Sequence, residues 1–385
     1  MKKKVIVAMS GGVDSAVAAA ILQKKGYEVI GVTLRLIFKK DSKDIECCGA
    51  DESLNKAKEV CAKLGIRHYF KNAQRLFKRD IINTFIEEYL NGRTPNPCIE
   101  CNRTVKFGYL FDFAKQMGAD ALVTGHYAKI LNRDGEFGLY RGRDDKKDQS
   151  YFLYCLQRSK LKNLLFPLGN LTKKNVRCMA ASFGLSLAKE KESKDICFIP
   201  DGDYTGFIKK NGKIRSLKGK IIDEKGKVLG WHNGFFNFTV GQRRGLDIAA
   251  KNRLYVSRIV PASNIIVVGD LDNVYFKDFS VKNINWLSFK KFEENDDIKV
   301  QVRYRHKPSK CKIIKIGKNF MRLSFAKKQF ALTEGQSAVF YSGNKVFGGG
   351  IIDEVERGNN RKGIGFPPLR LPSKLRRRAG GGQAG

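Results

Sequence analysis

"AMSGGVDSAVAAAIL", Ala8 to Leu22, sets two glycines and an aspartate between an apolar run and an alanine-rich stretch. Around it, VIVAM (5–9) reads as a buried strand, SAVAAAILQKKG (15–26) as a helix closed by Gly26, and YEVIGVTLRL (27–36) as the next strand. That order is a βαβ unit, so a parallel sheet is expected. A polar break at the carboxyl end of a parallel strand, just before a helix, suits an anion. Gly11 and Gly12 let the backbone approach it, and the first helical amides point at it with the helix dipole behind them. Ser10 and Ser15 add hydroxyl donors, and Asp14 is read as holding a metal or orienting the loop.

Further along, DESLNKAKEVCAKLGI (51–66) and LFKRDIINTFIEEYLNG (76–92) carry helical periodicity, the second with Phe77, Ile81, Phe85 and Tyr89 at a spacing of four. RTPNPCIECN (93–102) is expected to be a loop, because its two prolines oppose helix, followed by a helix over about 103–117. ALVTGHY (121–127) reads as a strand whose carboxyl end carries Gly125 and His126, where Gly125 allows close approach of a nucleotide. From about residue 205 the segments become short, β-branched and divided by glycine or Asn/Asp turns. The expected organisation is an α/β catalytic domain over 1–204, a central β-rich domain over 205–280, and a C-terminal β-barrel over 281–356. The tail 357–385, with three prolines and a glycine-rich end, reads as disordered; a nucleic-acid-binding arm and a non-native extension are its alternatives.

The 385 residues include 73 Lys and Arg against 38 Asp and Glu, a formal charge of +35, so a partner rich in phosphates is expected. Nine cysteines, odd in number and with Cys47 and Cys48 adjacent, argue against a secreted disulfide framework and for a reducing cytosol. Ser10, the glycines and Asp14 interrupt any signal-peptide core, and no apolar run approaches the ~18 residues of a membrane span. A soluble, cytoplasmic protein with no membrane partner is expected.

Two cysteine motifs stand out, PNPCIECN with Cys98 and Cys101, and KDICFIP with Cys197. A CxxC suits half a zinc site, a redox pair or part of an iron–sulfur site. The four histidines (68, 126, 232, 306) are scattered singly, which makes zinc the weaker choice. Sulfur transfer is another use, with one cysteine carrying a terminal sulfur as persulfide and a second thiol resolving it. Cys101 and Cys197 are the candidates. Cys61, Cys155, Cys178 and Cys311 lie in apolar patterns and are expected to be buried packing residues.

SGGVDS lacks the Lys-Ser/Thr pair of a Walker A loop and resembles the pyrophosphate loop (PP-loop) of the ATP-pyrophosphatase superfamily. With GRTPNPC..CN, TGHY, KDQSYFL (147–153), ICFI (196–199), GQRRGL (241–246), RYR (303–305) and GQSAVFY.G...GGG (335–350), it falls in the order found in bacterial tRNA-specific 2-thiouridylases. The resemblance covers about residues 4 to 355. It implies a parallel-sheet PP-loop domain, of the adenine nucleotide alpha hydrolase kind, followed by two small β-rich domains.

The activity implied is thiolation at C2 of the wobble uridine of certain tRNAs. ATP, with Mg2+ expected alongside it, would adenylate the C2 oxygen. A persulfide on Cys197 would attack that carbon, AMP would leave, and Cys101 would liberate the sulfur, ending in a Cys101–Cys197 disulfide. A sulfur-donor protein, such as a cysteine desulfurase or a relay carrier, is implied as partner. The ATP residues carried over are Ala8, Met9, Ser10, Gly11, Gly12, Val13, Asp14, Ser15, Leu34 and Gly125. Those for tRNA are His126, Lys147, Asp148, Gln149, Arg303, Tyr304 and Gln336. One departure is Cys98, where well-known members have an aspartate. With Cys101 and Cys197 it makes three thiolates that suit a [4Fe–4S] cluster, so a cluster-dependent tRNA thiolase is the second reading. A basic RNA-binding protein with a vestigial nucleotide site is the alternative from another class.

Overall fold

The computed structural model describes residues 2–37, 50–185, 196–199, 201–214, 217–288, 292–294 and 296–357. Cys47, Cys48 and the tail from 358 onward lie outside the described residues.

The opening βαβ unit is present. Strand β1 (Lys4–Ala8) leads through the glycine turn into helix α1 (Val13–Lys24), and β2 (Glu28–Arg35) returns parallel to β1, in register Val5 to Val29 through Ala8 to Val32. Helix α1 is buried nearly all round, from Val13 through Leu22. Its alanines leave little room between it and its neighbours, which brings other helices close to its first turn. Gly26, at φ +81°, closes it. Helix α2 (Ala50–Leu64) and strand β3 (Arg67–Asn72) complete the second unit.

Two longer helices follow. The first, α3, runs through Gln74–Phe77, a π-helical stretch Lys78–Asn83, and Thr84–Leu90. The second, α4, runs through Pro97–Glu100, a π-helical stretch Cys101–Tyr109, and Leu110–Gln116. The prolines at 95 and 97 therefore do not make all of 93–102 a loop. Pro97 occupies the first helical position, where its missing N–H costs nothing, and the Asn96 side chain accepts from the Ile99 N–H as cap. Strand β4 (Ala121–Val123) is shorter than expected, and Thr124–Tyr127 lies beyond it.

The hairpin β5 (Ala128–Arg133) and β6 (Glu136–Arg141) comes next, then the short β7 (Leu164–Leu165) and helix α5 (Lys173–Ser182). The first sheet has the order β3-β2-β1-β4-β7, all parallel. Of the four cysteines expected in the core, Cys61, Cys155 and Cys311 are buried, but Cys178 is exposed. On α5 the inward positions are Val176 and Ala180, which turns Cys178 to solvent.

Helix α6 (Tyr204–Gly212) precedes a four-stranded sheet of β8 (Gly219–Asp223), β9 (Val228–His232), β10 (Tyr255–Val260) and β11 (Ile265–Gly269), in the order β10-β11-β8-β9. Strand β12 (Tyr275–Trp286) runs across the expected boundary at 280. It begins a six-stranded barrel with β13 (Asp297–Gln301), β14 (Ser309–Ile316), β15 (Phe320–Phe330), β16 (Ser337–Ser342) and β17 (Lys345–Val355), closed by the β12–β17 pairing. The β5–β6 hairpin of the first region pairs with the start of β17, so the barrel's sheet extends into it.

Side chains tie the barrel further to the first region. The Tyr151 hydroxyl donates to Ser337 O at 2.9 Å, and the Asn285 amide donates to Tyr154 O at 2.6 Å and Leu156 O at 2.8 Å. Asn285→Ala leaves two carbonyls without this donor, and the expected loss is about 1–3 kcal/mol. Urea unfolding followed by tryptophan fluorescence checks it, with a lower midpoint expected.

Candidate nucleotide and thiol site

The phosphate-loop residues are held by one another. Met9 N–H donates to Val32 O at 2.8 Å, and the Ser15 hydroxyl donates to Gly12 O at 2.9 Å while accepting from Ser10 N–H at 3.2 Å. Gly11 has φ +77°, and a Cβ there would collide with the Ser53 carbonyl. Only glycine fits that turn without strain.

Gly125 stands against this turn. A Cβ on it would lie 2.8 Å from the Asp14 carbonyl carbon and 2.9 Å from the Ser15 nitrogen. Its smallness is thus required by the first turn of α1 itself, a reason different from the nucleotide approach expected from the sequence. Leu34, near the end of β2, is half-buried and packs toward the core.

Asp14 is held by two partners. Both its oxygens are 2.8 Å from Lys173 Nζ, and the Tyr127 hydroxyl donates to Oδ1 at 2.7 Å. Sequence reading missed Lys173 because 159 residues separate it from Asp14.

The thiols lie on α4 and on the segment before α6. Cys98 is exposed and Cys101 is 8% exposed, one turn apart on α4. Burial pushes the Cys101 thiol up to about 11; Lys106 opposes this, and Cys98 and Glu100 add to it. Cys98 is shifted up too, chiefly because its surroundings withdraw solvent although its own surface is open, again with Lys106 opposing. Beneath them Cys155, pushed up to about 12 by burial, donates from Sγ to Ile99 O. Lys106 also lies within electrostatic reach of His126. One cation therefore faces both the thiol pair and the strand edge that bears Gly125, and no motif marked it.

Cys197 is exposed. Its neighbour Phe198 is buried edge-to-face against Phe77 and Phe85, in the same hydrophobic core as Cys101. The fold thus brings the two segments into one core. Among the described residues, no group of three His, Cys, Asp or Glu side chains is gathered as a metal site needs. Cys98, Cys101 and Cys197 are not gathered into such a group.

The residues expected to meet tRNA divide. His126 is buried between Phe107 and Phe166, bonded at Nδ1 to the Thr124 hydroxyl at 2.7 Å, and burial holds its pKa well below the usual imidazole value. Asp148 is buried and accepts from Gly142 N, Ser150 N and the Ser150 hydroxyl; Gln149 accepts from Tyr127 N. These three hold the Thr124–Tyr127 segment and the Gly142–Ser150 turn in place, while Lys147 sits half-buried in the turn before Asp148.

Arg303, Tyr304 and Gln336 gather from the barrel. Arg303 Nη2 donates to the Thr333 hydroxyl at 2.6 Å, Gln336 N–H donates to Thr333 O, and the Gln336 side chain donates to Thr94 O at 2.9 Å. Tyr304 packs on Phe152 with ring centroids 4.4 Å apart. Asn102, next to Cys101, is buried with its Oδ1 unpartnered, an acceptor beside the thiols that the sequence did not single out.

Comparison with known proteins follows the same division. Residues 3–201 match the family described as tRNA methyl transferase HUP domain, residues 205–270 its PRC-barrel domain, and residues 276–352 the aminomethyltransferase beta-barrel domain. A tRNA-specific 2-thiouridylase of Clostridium botulinum is 42% identical over 92% of this chain and 99% of its own length. The chain belongs to the tRNA-specific 2-thiouridylase family. A second member of this 2-thiouridylase family, from Carboxydothermus hydrogenoformans, is likewise 42% identical, over 92% of this chain and 98% of its own. Among solved structures, a 4-thiouridine synthetase–RNA complex with bound ATP is 19% identical, with a TM-score of 0.35 over 55% of this chain and 50% of that one.

Three outcomes are expected from this geometry. Gly125→Ala forces a Cβ against the Asp14 and Ser15 backbone, and ATP affinity measured by calorimetry falls at least about ten-fold while the circular dichroism spectrum is kept. Alkylation of Cys101 by iodoacetamide, followed by peptide mass spectrometry, rises about ten-fold per pH unit from 7 to 10, since only the thiolate reacts. Lys106→Met, which removes the opposing cation, slows it at every pH in that range.

Proposed function

We propose that the protein thiolates C2 of the wobble uridine in tRNA. The observation that carries this is the joining of a pyrophosphate-type loop and a pair of thiol segments in one domain whose curated relatives are 2-thiouridylases along almost their whole length. ATP is the co-substrate, with Mg2+ arriving on it. The loop amides of Gly11 to Ser15 hold its phosphates, and Leu34 flanks the nucleotide. The C2 oxygen of uridine attacks the α-phosphorus, pyrophosphate leaves, and the carbon is activated toward a sulfur nucleophile.

The sulfur comes from a persulfide on Cys197, whose exposure suits loading by an external donor protein. The terminal sulfur attacks C2 and AMP departs. The Cys101 thiol then attacks the inner sulfur, so that the new base keeps one sulfur and the enzyme is left with a Cys101–Cys197 disulfide. Two electrons from an external dithiol reopen it. Arg303, Tyr304, Gln336 and Lys147 are proposed to meet the tRNA, with His126, Asp148 and Gln149 shaping the wall behind the base. Charge supports a tRNA partner, with 73 basic against 38 acidic residues. The family description speaks of methyl transfer, but the closer and longer match is to the curated thiouridylases. The domains are proposed to divide as catalytic 1–204, central 205–280 and tRNA-contacting 281–356.

The test is single-turnover thiolation of a cognate tRNA by anaerobic, iron-free protein loaded with persulfide. Cys197→Ala is expected to release pyrophosphate but form no 2-thiouridine, and Cys98→Ala to keep at least about a third of the wild-type yield. Absence of AMP release with cognate tRNA sinks the reading and favours an RNA-binding protein.

A further inference from the structure

Asp14 sits in the first turn of α1, where the fold otherwise concentrates positive potential from N–H groups. A carboxylate there favours the helix but repels a polyphosphate placed over the same amides. The structure pairs it with Lys173, the first residue of α5, whose side chain is 12% exposed and whose ammonium reaches both carboxylate oxygens at 2.8 Å. Two further contacts aim Lys173. Its backbone N–H donates to Asp144 Oδ2 at 2.9 Å, and its ammonium lies 5.7 Å from the Tyr127 ring centre, the same tyrosine whose hydroxyl holds Asp14. Asp14 thus has two partners, and Lys173 is a long cation anchored at its base beside the loop.

We infer that Lys173 is a nucleotide-binding residue of this loop, swinging its ammonium from Asp14 to the β- and γ-phosphates when ATP enters. The inference rests on the proposed use of ATP and adds a residue to it. Asp14 keeps the Tyr127 hydroxyl when Lys173 turns away, so its charge is not left without a partner. The loop itself carries no lysine, unlike a Walker A loop, and its amides alone face a polyphosphate of several negative charges. A lysine supplied from a helix 159 residues away meets the same need. AMP, which lacks the β- and γ-phosphates, has no use for it. Lys173 therefore discriminates ATP from the reaction's own product and eases with pyrophosphate release.

The test measures binding, separately from thiolation. Calorimetry with α,β-methylene-ATP and with AMP is run on the full chain as wild type, Lys173→Met, Lys173→Arg and Asp14→Asn/Lys173→Met. The expected result is a ten-fold or greater loss of analogue affinity in Lys173→Met, a less than two-fold change for AMP, substantial recovery in Lys173→Arg, and no recovery in the double variant. Equal losses for the analogue and AMP, or none for either, overturn the inference. Recovery in the double variant also overturns it, because Lys173 then only neutralises Asp14. Failure of the wild type to bind the analogue overturns the ATP reading and this inference together, whereas wild-type binding unaffected by Lys173→Met overturns this inference alone.

Discussion

The carboxylate of Asp14, partly exposed in the first turn of α1 beside the glycine turn proposed to receive an anion, constrains most of what surrounds it. Left alone it would raise a negative potential over the loop. The fold answers with Lys173 and the Tyr127 hydroxyl, and both must be brought from elsewhere in the chain. Helix α5 therefore packs on α1, and the segment after β4 bends over the same turn. That bend presses Gly125 against the Asp14 carbonyl, where any side chain would displace α1. On the far side Ser53 of α2 presses equally close to Gly11. The glycines and the ion pair form one device, fixed by three helices and two strands meeting at a single turn.

A second constraint acts on the thiols. The segment Arg93–Asn96 links α3 to α4, and the barrel grips it. Arg93 donates to Glu88 at 2.9 Å within its own domain and to Ile352 O at 3.0 Å on β17, while Thr94 N–H donates to Glu334 O and Gln336 donates back to Thr94 O. Cys98 lies two residues beyond that grip. The barrel thus fixes where the thiol helix begins, and Arg303 joins the same network through Thr333. A residue can be necessary to such a site by holding the loop, without touching a substrate.

These two constraints explain which features sequence reading reached. The βαβ unit was legible because burial on both faces leaves a continuous apolar run, and because Gly11 and Gly12 interrupt it at a strand end. The barrel was legible as a texture of short β-branched segments, but not its limits, since β12 starts five residues before the expected boundary at 280 and β5–β6 joins its sheet from the first region. Pro97 misled because proline at the first helical position looks in sequence like proline in a loop. Cys178 misled because Met179, Ala180 and Ala181 after it are apolar while its own helical face is not inward. Lys173 and Lys106 left no local trace at all; their meaning comes from distance in space.

The two thiols of the proposed reaction also differ in what the fold does to them. Cys197 is exposed, with Phe198 anchoring the chain beside it between Phe77 and Phe85, so the sulfur is accessible while its backbone is held. Cys101 is buried and its thiol is pushed up to about 11, so at pH 7 its thiolate fraction is on the order of one in ten thousand. On the proposed reaction that difference imposes an order. The exposed thiol is loaded first, because a donor can reach it, and the buried one stays protonated through loading and so does not discharge the persulfide early.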